Sequence, residues 1–184
     1  MSKAVGNVVA PVDMVQKYGA DQGRYFFLRE VPVGQDGSFT HEAIVNRVNA
    51  DLANDLGNLA QRSLSMIVKN CASAVPKPAP FSEADEALLA AAKALLPLCR
   101  EAMDRQAIHR SLDAIWQVVA DANRYFATEE PWSLKKTDPA RMRTILYVTA
   151  EVVRRLAILC QPYVPGAAAR LLNQLGVGPE DRGF

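Results

Sequence analysis

A chain of 184 residues, 49% hydrophobic and 22% charged, is long enough to bury one core and too apolar to stay disordered. Its formal charge of +1 excludes a uniformly basic nucleic-acid binder, so any RNA contact must come from a local patch. The basic pairs Lys135, Lys136 and Arg154, Arg155 are candidates for one.

The opening residues MSKAVGNVVAP set Gly and Asn inside a short apolar run and read as a loop with an extended piece. Pro11 suits the first turn of a helix over about 12–18, which Gly19 stops. Asp21 can cap the next helix, DQGRYFFLREV, which buries Tyr25, Phe26, Leu28 and Val31 and leaves Arg24 and Arg29 available. Residues 32–38, with a DG pair, form a turn-rich connection. This first piece is too small for a core of its own and is expected to pack on the rest of the chain.

Thr40 caps a long helix reaching about Asn70 or Cys71, and Phe39 before it can staple to Ile44. At 100° per residue, Val45, Val48, Leu52, Leu56, Leu59 and Met66 fall on one side. Arg47, Asp51, Asn54, Asn58 and, at the edge, Arg62 line another. Asparagine competes for the backbone and lowers helix propensity, so its repetition inside a long helix needs a reason. An amide presents donor and acceptor side by side, which suits the edge of a nucleobase; tying the helix to a neighbour would use it equally well. Gly57, in mid-helix, costs about 1 kcal/mol relative to Ala, which the close approach of another backbone would explain.

The Pro-rich VPKPAPF breaks the helix, and Ser82 with Asp85 opens the next by the capping-box pattern. That helix, over about 83–103, is rich in Ala and Leu, carries Pro97 as a kink and reads as scaffold. From Asp104 a new apolar stripe, with Ile108, Leu112, Ile115, Trp116, Val119, Ala122, Tyr125 and Phe126, runs to about Ala127 and buries Trp116. TEEPWSLKK interrupts it, placing Trp132 in a charged loop where an aromatic can stack on a base. Asp138 and Pro139 start a helix that runs to Cys160 or Gln161, and a last one covers about 166–175. The fold is read as all-α, an antiparallel bundle of about five helices preceded by a small mixed or helical piece. The divisions are 1–39, a bundle over 40–176 and a loose tail over 177–184.

Self-contained catalytic sets are missing. His41 and His109 have no acidic or thiol partner at a recognisable spacing, and no glycine-rich phosphate loop occurs. Cys71, Cys99 and Cys160 lack metal or redox spacing and read as free thiols of a reducing, cytoplasmic compartment; no metal is expected. No apolar run is long enough to span a membrane.

Three motifs, in order, carry a resemblance. MSKAVGN resembles the KMSKS signature loop of class I aminoacyl-tRNA synthetases with its usual GN continuation, DLANDLGNLAQR their anticodon helix, and NRYFATEEPWSLKK its counterpart on a later helix. Together they resemble the C-terminal part of the bacterial methionyl-tRNA synthetases over essentially the whole chain. A sister synthetase for Ile, Leu, Val or Cys and a helical scaffold without an RNA role are the rival readings.

The resemblance implies that Lys3 is the lysine that reaches ATP, with the first lysine of the signature missing and Ala4 standing for its last serine. It implies an anticodon-binding domain over 40–176, with 1–39 as the signature loop and a stem-contact-like connective segment. Asn54, Asn58, Arg62 and Trp132 would contact the unstacked CAU anticodon of tRNA-Met, with Trp132 as stacking platform. By the same resemblance, the family's catalytic residues would lie in an upstream Rossmann half, so the implied partners are that catalytic domain and tRNA-Met. ATP and magnesium are expected for the full enzyme only, and the chain alone is expected to bind RNA without aminoacylating it.

Overall fold

The computed structural model describes residues 11–31 and 40–184. Lys3, Phe39 and the turn-rich connection lie outside the described residues. Two short helices, α1 (Pro11–Tyr18) and α2 (Ala20–Glu30), come first. A long helix is next, made of α3 (His41–Arg47), a π-helical segment (Val48–Gly57) and α4 (Asn58–Asn70). Then come α5 (Glu83–Asp104), α6 (Ile108–Glu129), the single turn α7 (Leu134–Thr137), α8 (Pro139–Cys160) and α9 (Pro165–Gln174). No strand occurs among the described residues, so the all-α reading holds. No described helix is long and apolar enough to cross a membrane.

Local chemistry sets the boundaries as the sequence suggests. Thr40 Oγ1 accepts from the Ala43 N–H at 3.1 Å, and the Asp138 carboxylate accepts from the Arg141 N–H at 2.9 Å with Pro139 in the first turn. At α5, Ser82 and Asp85 exchange side-chain and backbone hydrogen bonds in a complete capping box. Pro97 sits on the exposed side of α5, which continues through it.

The centre of the bundle is α8. Its run ILYVTAEVVRRLAILC is apolar on almost every side, and a helix apolar all round is a buried one. Ile145, Leu146, Val148, Val152, Val153 and Leu156 are all fully buried, with α4, α5, α6, α7 and α9 packed around them.

The small leading piece packs on the bundle. Tyr25 of α2 lies in the main core with its ring 4.9 Å from that of Trp116. Two sequence expectations change here. Asp21 caps α9 instead of its own helix, accepting from the N–H groups of Gly166 at 3.2 Å and Ala167 at 2.6 Å. Arg24 and Arg29 are not available either: Arg24 donates to the Pro162 carbonyl at 2.8 Å, and Arg29 pairs with Asp51 and Asp113. At the other end, Arg182 donates to the Val177 carbonyl and to Asn173, while Gln161 donates to the Arg182 carbonyl. The segment expected to be a loose tail is thereby held against α8 and α9.

Backbone angles stay helical from His41 to Asn70, but the hydrogen bonding widens in the middle. The Asn58 N–H reaches back five residues to the Ala53 carbonyl, the π pattern. The wider turn upsets a stripe drawn at 100° per residue. Asp51, placed on the polar stripe with Asn54, is 5% exposed. Its carboxylate accepts from the Tyr25 hydroxyl at 2.6 Å and faces Arg47 at 3.4 Å and Arg29 at 3.5 Å. The backbone that comes close to Gly57 belongs to the same helix: a Cβ there would lie 2.8 Å from the Leu52 carbonyl oxygen.

Candidate nucleic-acid interface

Trp132 sits in a tight turn made by the end of α6. Glu130 takes a left-handed conformation (φ 42°), Pro131 is buried, and the Ser133 N–H and hydroxyl both bond the Glu130 carbonyl, at 2.9 and 2.8 Å. A proline with its ring in the core and a closed turn leave the next side chain one way to go, outward. Trp132 is 48% exposed.

The end of α6 is fixed by a buried ion pair. Arg141 of α8 donates to Asp85 of α5 at 3.0 Å and to Glu129 of α6 at 2.7 Å, and the Tyr125 hydroxyl donates to Asp85 at 2.5 Å. Burial would push the Asp85 carboxyl up, but the hydrogen bonds from Arg141, Tyr125 and the Ser82 N–H outweigh it and hold the carboxyl below its usual range. The Tyr125 hydroxyl is raised by burial and by that carboxylate, so it stays a donor. Three helices are thus tied together directly beneath the tryptophan turn.

Across from it stands α4. The Arg62 guanidinium lies 5.0 Å from the centre of the Phe126 ring and 5.6 Å from that of Trp132, and these two rings are 6.0 Å apart. These are cation–π distances, which keep the planar fork in place without using its N–H donors. One turn earlier Asn58, and in the π segment Asn54, are exposed. Neither amide bonds another described residue, whereas Asn123 donates to Asp55 and Val119 carbonyls and Asn70 to that of Met66. Of the two uses open to a helical asparagine, tying helices together falls to Asn123, while Asn70 bonds back within its own helix; Asn54 and Asn58 are left facing solvent.

The structure therefore brings Arg62 and Trp132 into contact and sets Asn58 one turn from Arg62. Phe126 was missed as a member of this group, because its spacing marks it for the core. It is indeed 1% exposed, and it serves from beneath. Lys135 and Lys136 come just after Trp132 on α7 and are exposed. The other basic pair is spent: Arg154 and Arg155 both bond Glu151, at 2.7 Å each, and these bonds hold its carboxyl low against its burial.

An apolar groove of about 920 Å3 between α4 and α9 lies elsewhere, and none of Asn54, Asn58, Arg62 and Trp132 lines it. An unstacked RNA loop is read on open edges and ring faces, so the exposed cluster is the better candidate. No group of His, Cys, Asp or Glu suited to a metal occurs among the described residues. The thiols of Cys71, Cys99 and Cys160 are all raised by burial, that of Cys160 to about 12, which keeps them unreactive.

Residues 75–182 match the family model for the anticodon binding domain of methionyl tRNA ligase, and residues 1–64 match that of class I (M) tRNA synthetases. Methionine–tRNA ligases of Brucella suis biovar 1 and Mesorhizobium japonicum are 64% and 62% identical over all 184 residues, which cover 36% of each relative. A solved structure, Mycobacterium tuberculosis methionyl-tRNA synthetase in complex with methionyl-adenylate, superposes with a TM-score of 0.97 at 55% identity. It is matched by 100% of this chain, which covers 37% of that one. The chain thus spans little more than a third of the length of these relatives.

Proposed function

The chain belongs to the methionyl-tRNA synthetase family, and from that premise we propose that its bundle reads the CAU anticodon of tRNA-Met for a methionine–tRNA ligase. The activity served is ATP-dependent charging of tRNA with methionine, with Lys3 in the signature loop acting toward ATP and the catalytic domain of the same synthetase as partner. Anticodon contacts are assigned to Trp132, Arg62, Asn58 and Asn54.

The observation that carries the reading is the arginine held by two rings beside amides that bond no other described residue. The open face of Trp132 takes the first anticodon base once it leaves the loop stack, a contact worth about 1–3 kcal/mol. Arg62 needs little reordering to donate to that base's edge, since its guanidinium already lies over the Phe126 and Trp132 rings. Asn58 adds a donor and an acceptor one turn away, and Asn54 extends the row. Lys135 and Lys136 supply positive charge where the backbone must pass.

The test is a filter-binding titration of the chain with a CAU anticodon stem-loop. Wild type should bind with salt-sensitive affinity and discriminate against altered anticodons. Trp132→Ala should weaken binding about ten- to a hundredfold with helical content unchanged. Equal binding by the mutant, or no anticodon dependence in wild type, overturns the reading.

A further inference from the structure

A ten-residue π-helical stretch is unusual, since such geometry is mostly met as single-turn bulges, frequently at functional sites. Here it is built in at both ends. At its start the buried Asp51 is fastened to α2 by the Tyr25 hydroxyl and flanked by Arg47 and Arg29. At its end Gly57 lets the chain close on the Leu52 carbonyl, at a distance no Cβ tolerates. Between these, Asn123 of α6 donates to the Asp55 carbonyl at 3.2 Å, so the widened stretch is also bonded from outside.

Asn54 is the one residue of the proposed anticodon row that lies inside this stretch; Asn58 and Arg62 belong to the regular α4. In an α-helix, a residue four positions away overshoots a full turn. In the wider π-turn the same spacing covers less than that rotation, so Asn54 is swung sideways relative to the line through Asn58 and Arg62. We propose that Gly57 and the Tyr25–Asp51 pair are positioning residues, which hold the π geometry so that Asn54 meets a different part of the anticodon from Asn58 and Arg62. The inference rests on the assignment of this face to anticodon reading. It adds a place in that recognition for residues outside the contact row: Gly57 has no side chain to offer a base, and Tyr25 is fully buried.

The experiment is a double-mutant cycle on the 184-residue chain, with the CAU stem-loop and a set of single-base anticodon variants as probes. Gly57→Ala should lower CAU affinity about tenfold and blur discrimination at one anticodon position, with near-wild-type helicity. In an Asn54→Ala background the same change should have no further effect, whereas with Arg62→Ala the two losses should add. A purely structural role for Gly57 would give the same loss in both backgrounds, and that result overturns the inference, as does wild-type binding by Gly57→Ala. If Gly57→Ala does not fold, Tyr25→Phe, which keeps the ring and removes the hydroxyl from Asp51, should show the same dependence on Asn54 in weaker form. Additivity of Tyr25→Phe with Asn54→Ala would then sink the proposal. Wild-type chain that ignores the anticodon altogether refutes the recognition assignment itself, an outcome visible before any variant is compared.

Discussion

Arg62 shows how much a single side chain depends on its support. Its guanidinium reaches the faces of both Phe126 and Trp132, and its N–H groups bond no other described residue. A lysine would keep the charge but not the planar fork, and it would hold the rings less well. Arg62→Lys is therefore expected to weaken CAU stem-loop binding about fivefold to tenfold, the equivalent of a cation–π contact of about 1 kcal/mol. It should also alter the emission of Trp132, whose quenching separates it from the buried Trp116. Unchanged emission in Arg62→Lys would count against the contact. The spacing of Asn54, Asn58 and Arg62 and the PW pair were legible in the sequence. Phe126 was not, because a side chain that supports a site from the core has the same periodicity as one that only fills the core.

At the scale of elements, the tryptophan turn is held through Asp85, which is both the reciprocal partner of the Ser82 cap of α5 and the buried partner of Arg141. Its pKa is lower in the folded chain than in the unfolded one, so the unfolded state binds the proton more readily. The resulting stability is fully present above about pH 4 and is lost as pH falls through the depressed folded value. Asp85→Asn should remove this part of the acid dependence, flattening the stability curve below about pH 4. Near neutrality, loss of the charged hydrogen bonds to Arg141, which keeps Glu129 as a partner, should cost about 1.5–3 kcal/mol, read from urea titrations across the pH range. A variant with the wild-type slope between pH 2 and about 4 would show that Asp85 is not the group that titrates. The cap itself was plain in the sequence, because N-terminal signals are local. The π segment was not, since it depends on α2 and α6 as well as on its own residues. An even 100° step consequently assigned the buried Asp51 to the same stripe as the exposed Asn54.

In the whole molecule, α2 is the strap. It reaches the bundle at three heights: Asp21 on the start of α9, Arg24 on the Pro162 carbonyl, and Tyr25 on Asp51 beside Trp116. None of these contacts can be read from local pattern, because each joins residues far apart in the chain; only the need of a small piece to borrow a core was readable. Asp21 satisfies two of the N–H groups that every helix start leaves open, and its charge meets the positive end of α9. Asp21→Ala is expected to cost about 1 kcal/mol, a fall of about 2–4 °C in the melting temperature of a chain this size. Asp21→Asn, which keeps one acceptor, should fall between. Because the first contact helps hold α2 where Tyr25 can reach Asp51, the losses in Asp21→Ala and Tyr25→Phe should add to less than their sum when combined. Strict additivity would mean that α2 is fastened independently at each end, and the strap would then be two separate ties.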